Sequence, residues 1–396
     1  MSTDATISPG SDRSWNEDRI ATLRLALSAG VGPCRFAQLL DRWKAPSEAL
    51  NGLADMRRKD IRVASAAEAE AAIAAADGVG AAIVLFGDPD YPARLAEISR
   101  PPIALHIKGE LEGACAALRG RTVAIVGARN ASAAARQFAE GLAADLSLAG
   151  VAVVSGLARG IDGAAHRGSL KGFPVGVVAG GVDVFYPPEH RDLQEEIGRV
   201  GALIAESRPG AKPTERHFPR RNRIVAGLAD AVVVIEAAER SGSLITARFA
   251  LEENREVMAA PGFPSDPRSA GANRLIRDGA VLIRGADDVL AALPAATADS
   301  SRAAPPVAQR RPIKKRQTSP IASASPTTAP SAVGPETEDA LDPSERVRLA
   351  LAAAPVTVDE LSRQCQLSAS AVAAILLEME LGGTLERLPG QRVALR

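Results

Sequence analysis

Apolar runs alternate with segments of helical periodicity through the central part of the chain. Between Thr122 and Ser155, an apolar run breaks at Gly127, an Ala-rich segment with apolar residues at helical spacing follows, and a second apolar run begins at Val151. A strand, a turn, a helix and a strand in about 35 residues predict a βαβ unit. Such a unit directs backbone N–H groups beyond the carboxyl end of its first strand, which favours anion binding.

The alternation continues to about Leu293 and predicts a Rossmann-like, doubly wound α/β domain with a mostly parallel sheet. Near-continuous apolar strands separated by helices are typical of a parallel sheet covered on both faces. We predict strands at Ala82–Phe86, Leu105–Lys108, Val123–Val126, Val151–Val154, Val175–Val178, Ala202–Ala205, Val232–Ile235, Val257–Ala260 and Val281–Ile283. We predict helices at Ser132–Ala149, Asp162–Leu170, His190–Val200 and Leu244–Glu253.

The flanking segments predict further domains. We assign 1–14 to a disordered N-terminus, 15–80 to a helical domain, 81–294 to the Rossmann-like domain, 295–342 to a disordered linker and 343–396 to a winged-helix domain. The linker is rich in Ala, Pro, Ser and Thr around a basic cluster, Arg310–Arg316, and cannot bury enough apolar surface to fold.

Two features of the flanking domains bear on DNA. In the N-terminal domain, the Gly30–Pro33 turn between two helices resembles a helix-hairpin-helix (SAM-like) element, whose turn amides can hold a phosphate; a small helical packing domain is the alternative. The C-terminal domain reads as three helices and a two-stranded hairpin. Its segments are a helix at Ser344–Leu351, a helix capped by Thr357, a helix at Ala369–Leu381 capped by Ser368, and strands at Thr384–Leu388 and Val393–Leu395. The third helix offers few cations to a major groove. Contact with another protein, or a fold retained without a DNA-binding role, therefore remains open as an alternative to sequence reading of DNA.

Composition narrows the classes of function. The 47 Lys and Arg residues balance 47 Asp and Glu residues, which excludes a histone-like protein but not a local basic groove. The three cysteines, Cys34, Cys115 and Cys365, are far apart, so we expect reduced thiols and no metal site. The N-terminus has no apolar core and no run reaches membrane-spanning length, so we expect a cytoplasmic protein.

Polar, glycine-containing loops recur where the predicted strands end. They are 127–132, 155–162, 217–223, 241–246 and 271–273. In a parallel sheet these loops meet at the carboxyl edge, where their amides, hydroxyls and guanidinium groups would form one long cationic rim. The set predicts phosphate binding more strongly than any single loop.

Each residue of the rim also has a structural interpretation. The glycines at 127, 156 and 160 permit tight turns, and the arginines at 220, 221 and 223 have Glu206 and Glu236 as potential ion-pair partners. We expect Asp162 to cap the helix that it precedes and His166 to be a packed histidine. Phe218 fits either a core position or a stacking platform.

Two nucleotide-enzyme classes lack their motifs. A dinucleotide-binding protein requires Gly-x-Gly-x-x-Gly after the first strand, whereas here Gly127 is followed by Ala128, Arg129 and Asn130. An acid at the end of the second strand is also missing, since Ser155 occupies that place. The absence of GxxxxGK[ST] argues against a P-loop NTPase.

A series of motifs carries a family resemblance. VGARNAS, SGLARGIDGAAH, VAGGVDVFYPPEH, FPRRNRIVAGL, ERSGSLITARFAL and APG…SAGANRLIRDGA follow in unbroken order from about Asp88 to Val289. The chain resembles the DNA-processing protein A (DprA/Smf) family in this region, and its flanking domains look like those of family members. The resemblance implies a Rossmann-like homodimer that binds and protects single-stranded DNA and loads the recombinase RecA onto DNA coated by single-strand-binding protein, in natural transformation. It implies no enzyme activity and no cofactor.

By this resemblance, Arg129 and Arg159 are the foremost candidates for phosphate contact. Ala128 departs from the Ser that family members commonly carry, which removes one hydroxyl from the rim. The complete set of candidate DNA-binding residues is Gly127, Arg129, Ser132, Ser155, Gly156, Arg159, Gly160, Phe218, Arg220, Arg221, Asn222, Arg223, Ser241, Gly242, Ser243, Thr246 and Asn273.

The fold is also similar to that of the LOG-type nucleotide phosphoribohydrolases, which supply an enzymatic alternative. Those enzymes carry PGGxGTxxE, with a carboxylate three residues after the Thr. Here Phe249 stands three residues after Thr246, so binding without bond cleavage is favoured.

Overall fold

The computed structural model of the chain describes residues 15–55, 61–294, 344, 347, 351, 356–365, 367–382, 384–388 and 392–395. The chain forms two compact units, Met1–Gln309 and Arg310–Arg396. The predicted disordered segments, 1–14 and 295–342, lie outside the described residues, as does most of the predicted helix Ser344–Leu351.

Four helices form the N-terminal part of the first unit. They are α1 (Glu17–Leu27), α2 (Pro33–Trp43), α3 (Pro46–Asp55) and α4 (Ala66–Gly78). A capping box fixes the start of α4, because the Ser65 side chain accepts from the Glu68 amide while the Glu68 side chain accepts from the Ser65 amide. Leu23 of α1 packs in one cluster with Ala69 and Ala76 of α4 and with Ile83 and Leu85. The helices therefore share a core with the sheet that follows.

A nine-stranded sheet forms the centre of the unit. Its strands are β1 (Ala81–Leu85), β2 (Ala104–Gly109), β3 (Thr122–Gly127), β4 (Ala152–Ser155), β5 (Pro174–Val177), β6 (Ala202–Ala205), β7 (Ala231–Ile235), β8 (Glu256–Ala259) and β9 (Val281–Leu282). Their order is β1-β2-β6-β5-β4-β3-β7-β8-β9. Strands β3 to β9 all pair in parallel with their neighbours in this group. In contrast, β1 pairs with β2, and β2 pairs with β6, in antiparallel fashion. The predicted doubly wound, mostly parallel sheet is confirmed.

Helices cover both faces of this sheet, and strand β3 shows why the sequence requires it. Val123 and Ile125 enter one hydrophobic cluster, whereas Ala124 and Val126 enter the other. Successive side chains of a strand point to opposite faces, so a continuous apolar strand needs apolar partners on both sides. The covering helices are α5 (Ala93–Ala96), α6 (Leu111–Arg119), α7 (Ala133–Leu148), α8 (Ile161–Ser169), α9 (Arg191–Val200), α10 (His217–Leu228), α11 (Ser243–Glu252), α12 (Ala270–Arg277) and α13 (Ala286–Ala292).

The strand order reverses between β3 and β7. From β3 the chain proceeds outward through β4, β5 and β6, then returns to β7 on the other side of β3. Ligands of open α/β sheets bind beyond the carboxyl ends of the strands at such a switch point. All the predicted loops leave the sheet at this same edge, which we call the carboxyl edge.

The second unit contains the predicted hairpin and two of the three predicted helices. Ser368 caps α15 (Ala369–Leu381) by accepting from the Ala371 amide at 3.2 Å, and α14 (Val358–Cys365) begins directly after Thr357. Strands β11 (Leu385–Leu388) and β12 (Arg392–Leu395) pair in antiparallel fashion. A third strand, β10 (Val356–Thr357), joins β12, so the predicted two-stranded hairpin is part of a three-stranded sheet.

Candidate nucleic-acid interface

Glu236 joins the loop after β3 to the end of β7. The Ala128 amide donates to its carbonyl oxygen at 2.7 Å, and its carboxylate accepts from the Ser132 amide at 2.8 Å and from the Ser132 hydroxyl at 2.6 Å. The Ser132 Oγ in turn accepts from the Ala135 amide and caps α7. Ser132 therefore fixes the path of the loop that carries Arg129.

A buried ion pair fixes the loop after β4. Asp162 accepts from the amides of Gly156 and Ala158 at 3.2 and 3.4 Å, and Nη1 of Arg221 lies 3.7 Å from its Oδ2. Burial raises the pKa of Asp162, opposed by the Arg221 charge and the two amides, and burial lowers the pKa of Arg221. A Cβ at Gly156 would lie 1.1 Å from Nη1 of Arg221, so any larger residue there would displace the buried guanidinium.

This geometry corrects three sequence predictions. Asp162 lies inside α8 and binds the preceding loop, so it does not cap the helix. The segment 217–223 is no loop, because α10 begins at His217. As a result Arg221 turns inward, while Arg223 donates to the Arg100 carbonyl at 2.6 Å and to Glu206 at 2.5 Å. Arg221 and Arg223 are buried, so neither guanidinium is exposed at the carboxyl edge.

Other predicted residues stabilise the loops of the carboxyl edge, either through side-chain hydrogen bonds or because a glycine allows close backbone packing. The Ser155 hydroxyl donates to the Ile125 carbonyl, and the hydroxyls of Ser241 and Ser243 form a hydrogen bond of 2.7 Å. The Asn222 amide donates to the Gly242 carbonyl, and the Asn273 side chain forms two hydrogen bonds with the Gly262 backbone. Thr246 is buried. A Cβ at Gly127 would lie 1.9 Å from the Ile235 carbonyl, and one at Gly160, which has a φ of 75°, would lie 2.2 Å from the Ala128 carbonyl. Gly127 and Gly160 thus have the structural role given as their alternative interpretation, and the hydroxyl and amide side chains connect neighbouring loops through these bonds.

An exposed stack of side chains lies at the edge. The Arg129 guanidinium carbon lies 5.2 Å from the centre of the Phe218 ring, and the Phe218 and Tyr186 ring centres lie 5.6 Å apart at 52°. Tyr186 is 46% exposed and Phe218 is partly buried. Phe218 is therefore neither a core residue nor a free platform; it is the middle of a cation–aromatic stack that reaches solvent.

The two other exposed predicted arginines have carboxylate partners. Arg159 forms an ion pair with Glu189 on the next loop along the edge. Arg220 lies 3.6 Å from Glu206, whose carboxylate already accepts from Arg223. An anion at Arg159 would have to displace the Glu189 carboxylate, whereas Glu206 is already neutralised by the buried Arg223.

The segment between β6 and α10 adds cations that the sequence analysis missed. Arg208, Lys212 and Arg216 are exposed, and none of them has an ion-pair partner among the described residues. They recur at every fourth position between β6 and α10, and Arg220 continues this spacing inside α10. That spacing, and the aromatic residue at 186 after β5, were the signals available in the sequence.

His166 is fully buried, burial lowers its pKa to about 3, and neither ring nitrogen has a hydrogen-bond partner in the described part of the chain. The expectation of a packed histidine is confirmed. No disulfide joins Cys34, Cys115 or Cys365 in the described part of the chain. Residues 15–55, 61–294 and the described C-terminal residues contain neither a cluster of three metal-ligating side chains nor a helix able to cross a membrane.

Comparisons with known proteins agree with this architecture. Residues 82–294 match the family model of DNA recombination-mediator protein A, residues 16–75 a DprA-like N-terminal HHH domain, and residues 327–391 a DprA winged helix domain. The DNA processing protein DprA of Bacillus subtilis is 38% identical over 280 residues, covering 66% of this chain and 93% of that protein. Protein Smf of Synechocystis is 35% identical over 313 residues, covering 77% and 78%.

A solved structure supports the same assignment. The crystal structure of DNA processing protein A from Streptococcus pneumoniae superposes with a TM-score of 0.59 at 34% identity, covering 70% of this chain and 98% of that one. The matched domains account for all three parts of the described chain. On the fold, the edge motifs and these matches, the chain belongs to the DprA/Smf family of DNA recombination-mediator proteins.

Proposed function

We propose that the carboxyl edge binds single-stranded DNA and leaves its bonds intact. The observation that carries the proposal is the Arg129–Phe218–Tyr186 stack beside cations that have no ion-pair partner among the described residues. Arg129, Arg208, Lys212 and Arg216 supply positive charge for phosphates, and the aromatic rings supply faces for bases. The bases of a duplex are already stacked on one another, so this combination favours a single strand.

Affinity for the strand comes mainly from phosphate contacts. The chain contains 3% aromatic residues, so the Phe218–Tyr186 pair stacks few bases while six exposed cations follow the edge: Arg129, Arg159, Arg208, Lys212, Arg216 and Arg220. Neutralising a phosphate of a single strand releases counterions, with a log–log salt slope of roughly −0.7 per contact. We therefore expect binding with little sequence preference and a strong dependence on salt.

We further propose the mediator role that the family resemblance implies. The protein protects incoming single strands and delivers them to RecA in the cytoplasm, displacing single-strand-binding protein during natural transformation. As a homodimer it would place two carboxyl edges on one strand, and the second contact would gain from the high effective concentration. This role is tested by measuring RecA-dependent strand exchange on DNA coated by single-strand-binding protein. We expect faster RecA filament formation, and therefore faster strand exchange, with the protein than without it.

Cleavage of a nucleotide is not part of the proposal. Thr246 is buried in α11, and Phe249, at the position of the phosphoribohydrolase carboxylate, packs against the hydrophobic core. The edge thus has no carboxylate in the catalytic place of that enzyme class.

One titration distinguishes binding from catalysis. Fluorescence anisotropy of labelled oligo-dT, of the matching duplex and of labelled AMP would be measured at two salt concentrations, with chromatography of the recovered nucleotides. We expect tight, salt-sensitive binding of oligo-dT and intact nucleotides. Conversion of AMP with no affinity for oligo-dT would contradict the proposal.

A further inference from the structure

A cavity of about 390 Å³ lies beside the carboxyl edge, between α1 and the segment that follows β6. Its volume falls within the range of about 300–1,000 Å³ that is usual for small-molecule sites. Part of its lining is apolar and comes from three different elements. These residues are Leu23, Ala26 and Leu27 of α1, Ala104 of β2 and Ile224 of α10.

Val178, Ala179 and Ala211 extend the apolar lining, and the polar residues carry net positive charge. The polar residues are Ser207, Arg208, His217, Arg220 and the buried Arg221, together with Glu206. Glu206 contributes little negative field to the cavity, since its carboxylate accepts from the buried Arg223 and lies 3.6 Å from Arg220. The cavity thus combines an apolar lining with two exposed guanidinium groups, and Arg208 and Arg220 belong to the carboxyl edge as well.

His106 adds a polar atom that lacks a partner. Its side chain lines the cavity and is 3% exposed, and Nδ1 has no hydrogen-bond partner among the described residues. Burial and the Arg208 charge lower the pKa of His106 to about 4, although the Ala205 backbone and the Asp183 charge act in the opposite direction. The imidazole ring is therefore neutral at pH 7. A buried polar atom without a partner is costly to the fold. A neutral imidazole can donate to or accept from a ligand, as the edge of a nucleobase requires.

We propose that this cavity binds one nucleotide unit, with its base against the α1 side chains and His106 and its phosphate at Arg208 and Arg220. The proposal rests on the function proposed above and adds to it a discrete site for a base. It also gives the N-terminal helical domain a direct part in binding, because α1 supplies Leu23 and Leu27 to the lining. The unit comes either from the bound strand or from a free nucleotide, and the experiment separates these sources.

The test uses the full chain and two matched substitutions. Leu27→Trp would fill the cavity from α1, whereas Leu148→Trp adds the same ring at the end of α7, where the side chain is 81% exposed. An oligo-dT carrying one 4-thiothymidine would be photocrosslinked to the unsubstituted protein and to each variant, and the attachment sites mapped by mass spectrometry. Oligo-dT affinity would be measured in parallel, with circular dichroism to compare folding.

We expect crosslinks in the unsubstituted protein on residues of α1 or β2 that line the cavity. Leu27→Trp should abolish them and weaken oligo-dT binding about tenfold, the scale of losing the contacts of one base, while Leu148→Trp should change neither. Loss of the crosslink with excess dTMP would identify free nucleotide as an occupant; persistence would identify the strand.

Crosslinks confined to residues 127–132 and 155–160, with no effect of Leu27→Trp, would overturn the proposal. The crosslinks of the unsubstituted protein decide the question even if that variant does not fold. Arg129→Ala separates the two levels of failure: if it weakens oligo-dT binding, only the cavity assignment fails, and if it too has no effect, the proposed function fails.

Discussion

Replacing Arg129 by alanine should remove one phosphate contact of the proposed interface while leaving the frame of the edge intact. The guanidinium is exposed, lies on the Phe218 ring and has no ion pair among the described residues, so no buried charge is left behind. Counterion release at one phosphate changes log K by roughly 0.7 per decade of salt. At 0.1 M salt this amounts to a loss of about fivefold in affinity, or about 1 kcal/mol, which disappears as the salt concentration approaches 1 M.

The assay is anisotropy of a labelled oligo-dT across a salt series, with Arg119→Ala as the matched control. Arg119 is exposed and has no ion pair in the described part of the chain, but it ends α6 just before β3 and so lies at the opposite edge of the sheet. We expect Arg129→Ala to flatten the slope by about 0.7 and Arg119→Ala to leave it unchanged. Equal effects of the two substitutions, or none from either, would refute the assignment of Arg129.

Three further predictions follow from the pairs and buried groups at the edge. Glu189→Gln should strengthen oligo-dT binding by a few fold, because it frees Arg159 from its carboxylate; a titration showing weaker binding would contradict this. Asp162→Asn should lower the free energy of unfolding by about 3–5 kcal/mol, since it leaves the Arg221 charge buried and unpaired, and Asp162→Asn combined with Arg221→Met should recover most of the loss in urea denaturation. The pKa of His106 is about 4 in the folded protein and about 6.5 in the unfolded chain. Between these pH values only the unfolded chain binds the proton, so the free energy of unfolding should fall as the pH drops from about 6.5 to about 4, by as much as about 3 kcal/mol. His106→Gln should remove that part of the pH dependence, and unfolding curves that keep it would locate it elsewhere.

The fold could be predicted from the sequence because its dominant signal is periodic. Strand β3 is apolar at Val123, Ala124, Ile125 and Val126 with no polar break, and only a strand buried on both faces explains such a run. The antiparallel attachment of β1 and β2 was not predicted. Pairing direction depends on contacts between distant segments, such as His106 with Ala205, which periodicity does not encode.

The candidate site was predicted only in part because residue type does not fix direction. Arg220, Arg221 and Arg223 look equivalent in the sequence, yet α10 begins at His217 and its turn places Arg220 in solvent and the other two in the interior. A loop would have left all three exposed. The start of α10, which has no side-chain cap, is therefore what separates the exposed Arg220 from the buried Arg221 and Arg223.

The most direct test of the account is the salt dependence of oligo-dT binding, measured for the unsubstituted protein and for a variant that lacks all six exposed cations of the edge. The unsubstituted protein should show a log–log slope of about −4 if each contacts one phosphate, since six contacts contribute roughly −0.7 apiece. A variant with alanine at positions 129, 159, 208, 212, 216 and 220 should bind oligo-dT with a slope near zero and a correspondingly low affinity. A variant that keeps the full slope while remaining folded would show that the strand binds elsewhere on the molecule.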